Sequence, residues 1–281
     1  MKIIECPRDA MQGIGEFIPT ETKIAYINQL LKVGFDIIDF GSFVSPKAIP
    51  QMRDTAEVLA NLELGETNSG LLAIVANVRG AAEAAQHQQI DYLGFPLSVS
   101  ETFQQRNTNK SIAEAMQQLA QIQDICYKHG KTLVTYISMG FGNPYNDPWN
   151  AETVIRFVED LHKLRVTIIS LSDTIGVSDP ENITYLFGSL IPAFKNIEFG
   201  AHLHTNPFVW REKVAAAYHA GCRRFDGAIR GYGGCPMAKD ELVGNMATEN
   251  LISYFENIGV NLNLNKAAFG EALNQSGAVF S

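Results

Sequence analysis

Short runs of apolar residues, dense in Ile, Val, Leu and Phe, alternate along the chain with longer stretches whose apolar positions recur at helical spacing. The short runs predict strands over Lys2 to Cys6, Phe35 to Phe40, Leu71 to Ala76, Tyr92 to Phe95, Thr132 to Ser138, Thr167 to Ser172, Glu198 to His204 and Arg223 to Ile229. Between them, Glu21 to Val33, Ser111 to His129, Ala151 to Leu164 and Arg211 to Ala220 read as amphipathic helices. Strands with so few polar positions are expected to be covered on both faces, as in a parallel sheet flanked by helices. Eight such units in 281 residues favour a closed (β/α)8 TIM barrel over an open doubly wound sheet. No Pro/Gly/Ser-rich linker interrupts the series, so residues 1–260 are expected to form one catalytic barrel. Ala267, Phe269, Ala272 and Leu273 keep helical spacing, so residues 261–281 are expected to pack on the barrel as a helical tail.

Composition narrows the class. With 46% hydrophobic and 19% charged residues the chain is an ordinary globular protein. Thirty acidic against 22 basic residues, a net charge of −8, leave no diffuse basic footprint for nucleic acid or an anionic membrane. An anionic ligand must therefore be met by local cations. No apolar run approaches the roughly 20 residues needed to span a bilayer, and Met1 leads straight into the first strand, so a soluble cytoplasmic protein is expected. Cys6, Cys126, Cys222 and Cys235 are scattered without CxxC spacing, which predicts reduced thiols.

In a barrel of this kind the active site lies at the C-terminal ends of the strands. Polar residues collect at three of those ends: Pro7-Arg8-Asp9-Ala10-Met11-Gln12 after the first strand, His202-Leu203-His204 on the seventh, and Gly233-Gly234-Cys235-Pro236 followed by Asn245 after the eighth. Closure makes the eighth strand the neighbour of the first, so these groups are expected to converge. Residues i and i+2 of a strand point to the same side, which lets His202 and His204 grip one metal ion. Asp9 is the natural third ligand, and the side-chain oxygen of Asn245 completes a mixed set. Hard oxygen donors without thiolate suit Mg2+ or Mn2+, though imidazole also accepts Zn2+ or Co2+. The plain alternative for an HxH pair is two hydrogen-bonded histidines at a barrel rim, and the strand-end position favours the metal. His87, His129, His162 and His219 fall in helical segments and read as ordinary surface residues. Neither Gly13-Ile14-Gly15 nor Gly231-Tyr232-Gly233-Gly234 has the spacing of a dinucleotide fingerprint.

The chain resembles the hydroxymethylglutaryl-CoA lyase family, part of a wider group of metal-dependent barrel lyases and synthases. The resemblance is carried by PRDAMQ at Pro7 to Gln12, SFVSPK at Ser42 to Lys47, SDTIGV at Ser172 to Val177, HLH at His202 to His204, GGCP at Gly233 to Pro236 and GNMATEN at Gly244 to Asn250. It implies Asp9, His202, His204 and Asn245 as ligands of a divalent metal, and Arg8 beside a thioester carbonyl. It further implies Cys235 on a glycine-rich lid, Asp173 in a supporting polar network, and Gln12, Asp39, Ser42 and Thr174 around the substrate. The implied reaction is cleavage of 3-hydroxy-3-methylglutaryl-CoA to acetoacetate and acetyl-CoA, with His202 and Cys235 as proton carriers. A small-molecule acyl-CoA would be the ligand, with no role for nucleic acid or membrane, and the implied assembly is a dimer. Competing readings are an acetyl-CoA-dependent synthase, a hydroxy-oxo-acid aldolase and a non-catalytic metal-binding barrel; SFVSPK and GGCP together point to the lyase branch.

Three positions depart from the family pattern. Ala10 stands where lyases usually have glycine, Asp39 where many have glutamate, and Thr205 where an acidic or amide residue usually follows the second histidine. A left-handed backbone at Ala10 would cost about 1 kcal/mol. The Asp39 carboxylate would stop about 1.5 Å short of a glutamate's reach.

Overall fold

The computed structural model describes residues 1–234 and 243–280. Eight parallel strands close into a barrel in chain order: β1 (Lys2–Glu5), β2 (Ile37–Ser42), β3 (Gly70–Ile74), β4 (Tyr92–Ser98), β5 (Thr132–Ser138), β6 (Ile168–Asp173), β7 (Glu198–Leu203) and β8 (Arg224–Gly227). The seam is β1 against β8, from Lys2 opposite Arg224 to Glu5 opposite Gly227. Helices cover the outer face, and the helix Lys266–Val279 lies on the helix Thr20–Leu31, where Gln29 Nε2 donates to the Ala268 carbonyl at 2.8 Å. No helix among the described residues is long and apolar enough to cross a membrane.

Two strands run past their expected ends for identifiable reasons. β4 continues through Pro96, a residue that normally ends a strand because it lacks an N–H. Gly94 O accepts from Val75 N, so Gly94 and the residue two positions on face β3, and β3 pairing stops at Ile74 opposite Gly94. Pro96 thus turns its missing donor toward a vacated edge while β4 stays paired with β5 to Ser98. β2 extends to Ser42 through a bulge, since Asp39 pairs with Leu72 and Gly41 with Ala73, leaving Phe40 as the extra residue.

The segment after β1, expected only as a polar stretch, is a helix, Pro7–Gln12. Proline at its first turn has no N–H to lose, and Ala10 N donates back to Cys6 O at 3.1 Å. Ala10 is therefore right-handed and carries none of the strain a left-handed position would impose.

Strand alternation separates two apolar regions. Outward residues such as Ile3, Leu71, Phe199 and Phe225 join the large core between sheet and helices, while Ile4, Cys6, Ile37, Leu72, Val134, Tyr136 and Ile168 fill the lumen. One end of the lumen is ionic: Lys2 Nζ donates to Glu198 Oε2 at 2.5 Å and Arg224 Nη1 to Glu198 Oε1 at 3.2 Å. Gly200 makes room for this, since a Cβ there would meet Arg224 Cδ and Ser170 Oγ, each at 3.0 Å.

Glu5 faces outward and is 1% exposed, with Ile229 N donating to Oε1 at 2.9 Å and Thr248 Oγ1 to Oε2 at 2.5 Å. Burial outweighs these two hydrogen bonds and pushes the carboxyl from 4.5 up to about 8. Between those values the folded chain holds a proton that the unfolded chain has released, so this group's contribution to stability falls as pH rises and levels off above about 8. Glu5→Gln keeps an acceptor for Ile229 N and removes the titration. Denaturant unfolding should find the variant close to wild type near pH 5 and more stable at pH 9, by about 4 kcal/mol on this linkage. Parallel pH profiles for the two proteins would contradict the assignment.

Candidate active site

The helix after β1 sets Arg8, Asp9 and Gln12 over the barrel mouth. Arg8 and Gln12 are one turn apart and share a face, so Arg8 Nη1 donates to Gln12 Oε1 at 2.7 Å and also to Asp9 Oδ1 at 3.0 Å. On the other side Arg8 Nε and Nη2 donate to the Asp39 carboxylate of β2, at 3.0 and 2.5 Å to Oδ2. Four of the five guanidinium N–H groups are thereby spent, and the second one on Nη2 has no partner among the described residues. Burial works against the charge of Arg8, but Asp39 and Asp9 more than offset it and hold the guanidinium ionised. Burial pushes the Asp39 carboxyl up to about 6 against the pull of Arg8, leaving it ionised at neutral pH.

β7 turns His202 inward, and His204 follows on the same side two residues later, where it bridges to Asn245. One ligand atom from each of Asp9, His202 and His204 lies within 4.8 Å of the others. Asn245 joins them through its amide nitrogen, which donates to Asp9 Oδ2 at 2.7 Å and to the Tyr232 carbonyl at 2.9 Å. Gly233 permits this approach: at φ +90° it lies against the first helix, where a Cβ would meet Asp9 O at 2.7 Å and Asn245 Nδ2 at 2.8 Å.

The electrostatics suit a cation. Burial would raise the Asp9 carboxyl, but Arg8 and the two histidines bring it down to about 2. His204 drops to about 4, first through burial and then through its neighbour His202, so its imidazole is neutral at pH 7 with a lone pair to give. Its Nδ1 is buried and has no hydrogen-bond partner among the described residues. An ionised carboxylate beside an unpartnered neutral imidazole fits a divalent metal. A second grouping, Cys6 with His202 and Asp226, is a poorer candidate, because burial and the surrounding carboxylates raise the Cys6 thiol well above its ordinary range.

The other expected residues fall into three groups. Gln12 and Thr174 line a cavity of about 210 Å³ with Arg8, Asp9, His202 and His204. Asp39 and Ser42 do not reach its wall: Asp39 is locked on Arg8, and the Ser42 hydroxyl donates to Ile74 O at 3.2 Å. Asp173 is also behind the wall, 1% exposed, accepting from Val177 N, Ser178 N, Ser178 Oγ and Lys213 Nζ. Cys235 lies outside the described residues.

Several participants escaped the sequence reading. Lys213, buried in a helix, donates from Nζ to Asp173 Oδ2 at 2.9 Å, Gly176 O at 3.0 Å and His204 O at 3.1 Å, tying the ends of β6 and β7 together. Asp226 of β8 contacts His202 Nδ1 through Oδ2 at 3.2 Å. Tyr136, Ser138 and Ser172 also line the cavity. Strand alternation could have found these three, because Tyr136 with Ser138 and Ser172 with Thr174 are i, i+2 pairs at strand ends. The opposite wall is apolar, with Val44, Ala48, Ile49, Ile74 and Phe103.

The chain is similar to known proteins over nearly its whole length. A family model described as HMGL-like matches residues 2–275. The hydroxymethylglutaryl-CoA lyase of Bacillus subtilis is 34% identical over 258 residues, covering 92% of this chain and 85% of the relative. The cytoplasmic 3-hydroxy-3-methylglutaryl-CoA lyase of Rattus norvegicus is 32% identical over 264 residues, covering 93% and 76%. Among solved structures, an HMG-CoA lyase from Acinetobacter baumannii, in complex with coenzyme A and 3-methylmalate, superposes with a TM-score of 0.92 at 30% identity, covering 100% of this chain and 91% of that one.

The Lys213 clamp is open to test. Lys213→Met leaves the Asp173 carboxylate buried without its cation, and breaking a buried pair in this way costs about 3–5 kcal/mol. Urea unfolding should show a loss of that size, with a smaller one for the double variant Lys213→Met/Asp173→Asn. A single variant within 1 kcal/mol of wild type, roughly the worth of an exposed pair, would remove the clamp.

Proposed function

The chain belongs to the HMGL-like family, and from that premise we propose that it is a divalent-metal-dependent carbon–carbon lyase cleaving 3-hydroxy-3-methylglutaryl-CoA to acetoacetate and acetyl-CoA. The observation that carries this reading is the meeting of a guanidinium with one uncommitted N–H and the Asp9–His202–His204 cluster at the mouth of one cavity. The coenzyme A and 3-methylmalate held by the related lyase support an acyl-CoA ligand here.

Asp9, His202, His204 and Asn245 would hold the cation, which we take to be Mg2+ or Mn2+ because the donors are a carboxylate, imidazoles and an amide. When bound, such an ion supplies Lewis acidity toward the oxygens of the substrate. Cleavage removes the proton of the tertiary hydroxyl, breaks the bond between C2 and C3, and leaves the electron pair on the thioester enolate. Arg8 supplies a fixed cation for that enolate oxygen through its free N–H, and Asp39 and Gln12 keep the guanidinium from turning. His202 has one nitrogen left, since Nδ1 is engaged by Asp226, and we assign Nε2 to the cation. That leaves Cys235 as the proposed proton carrier, its thiolate taking the proton of the hydroxyl and its thiol returning it to the enolate carbon. The apolar wall around Ile49 and Ile74 suits the methyl side of the substrate.

A coupled assay for acetoacetate and acetyl-CoA, run with Mg2+ or Mn2+ and repeated after chelation, tests the proposal directly. Release of free thiol from acetyl-CoA and a 2-oxo acid, without cleavage, would move the chain to the synthases. Arg8→Met should lower kcat by about 10² or more, the scale of a lost oxyanion donor, while bound metal measured by elemental analysis is retained. A variant that turns over at the wild-type rate would remove Arg8 from the chemistry.

A further inference from the structure

His202 is approached from both sides of the strand end. On the cavity side stand Asp9 and His204, and on the lumen side Asp226 Oδ2 lies 3.2 Å from Nδ1. Asp226 is 2% exposed and has company in the lumen: Ser170 Oγ donates to Oδ2 at 3.4 Å, and Arg224 Nε stands 4.0 Å from Oδ1. Arg224 is itself wholly buried and shared with Glu198, so a fixed cation backs the Asp226 carboxylate from below. The His202 ring is further confined by Tyr136, which packs edge-on at 5.7 Å between centroids and 81° between planes.

We infer that Asp226 is the positioning residue of the site: it accepts the Nδ1 proton of His202 and so fixes the tautomer that turns the Nε2 lone pair toward Asp9 and His204. The reasoning is steric and electronic. A neutral imidazole carries one proton on two nitrogens, and whichever nitrogen donates leaves the other as acceptor. A carboxylate beneath Nδ1 can only accept, so it selects the Nδ1–H form. Arg224 Nε stands 4.0 Å from that carboxylate, and Tyr136 packs edge-on against the ring. His204 has no such partner, its Nδ1 being buried and unpaired among the described residues. The two histidines of the HLH motif are therefore unequal: His202 is pre-oriented, and His204 is organised from its backbone, where Lys213 holds its carbonyl at 3.1 Å.

The inference rests on the metal site proposed above, and its test separates the two. Mn2+ affinity is measured by titration calorimetry on wild type and on Asp226→Asn, together with thermal melting of both proteins without metal. The amide can offer His202 an N–H as readily as an oxygen and carries no charge, so the tautomer is no longer imposed. Loss of such an outer partner should weaken Mn2+ binding roughly 10- to 100-fold with the metal-free melting temperature little changed. Equal affinity in the two proteins overturns the positioning role, whereas a wild-type protein that binds no Mn2+ overturns the metal site itself. Should Asp226→Asn fail to fold, 15N NMR of histidine-labelled wild type with Mg2+ decides the matter. A protonated Nδ1 and unprotonated Nε2 at His202 support the inference, and the reverse tautomer overturns it.

Discussion

The buried guanidinium of Arg8, shared between Asp9 in the helix after β1 and Asp39 of β2, is the contact on which the site depends. Taking an unpaired charge out of water is prohibitive, so Arg8 can occupy this place only with its carboxylates, and they only with it. One cation faces two anions, which leaves a residual negative charge beside a neutral His204. That imbalance is the electrostatic reason the cluster suits a divalent ion. Asp39 belongs to the same balance, its Oδ2 accepting from both Nε and Nη2 of Arg8.

Beneath this contact the lumen is organised as alternating charges along the seam between β7, β8 and β1. Lys2 and Arg224 meet at Glu198, Arg224 backs Asp226, and Asp226 reaches His202. Each member lies on a strand, so a hydrogen-bonded sheet sets their spacing and flexible loops play no part in it. Lys213 and Asp173 do the equivalent work outside the barrel, tying the loop after β6 to the backbone of His204. Asp9 on the helix after β1 and His202 on β7 are thereby held in register before any ligand arrives.

The strand and helix pattern was legible because burial on both faces leaves a strong imprint: continuous apolar runs for strands, a period near 3.6 for the helices between them. The exceptions have local causes. Pro96 masked the second half of β4, since a rule that proline ends strands does not know that β3 has already stopped beside it. The Pro7–Gln12 helix was hidden because six residues, half of them polar, are too few to carry a readable period. The bulge at Phe40 was hidden because register shifts depend on the partner strand.

Of the site, the sequence by itself determined the chemical inventory: an arginine–aspartate pair after the first strand, an HxH pair on the seventh, an asparagine beyond the eighth, and closure of the barrel that brings them together. These follow from two local facts, the alternation of side chains along a strand and the rule that polar residues gather at strand ends. Only the tertiary structure decided which residues touch the cavity and which stand behind it. The sequence reading puts Asp39 around the substrate and Asp173 in a supporting network; packing spends Asp39 on Arg8 and ties Asp173 to Lys213, while Asp226, an unremarked residue of β8, reaches His202. A carboxylate's role is set by the cation or donor that three-dimensional packing puts within about 3 Å of it, and those partners lie tens to hundreds of residues away in sequence.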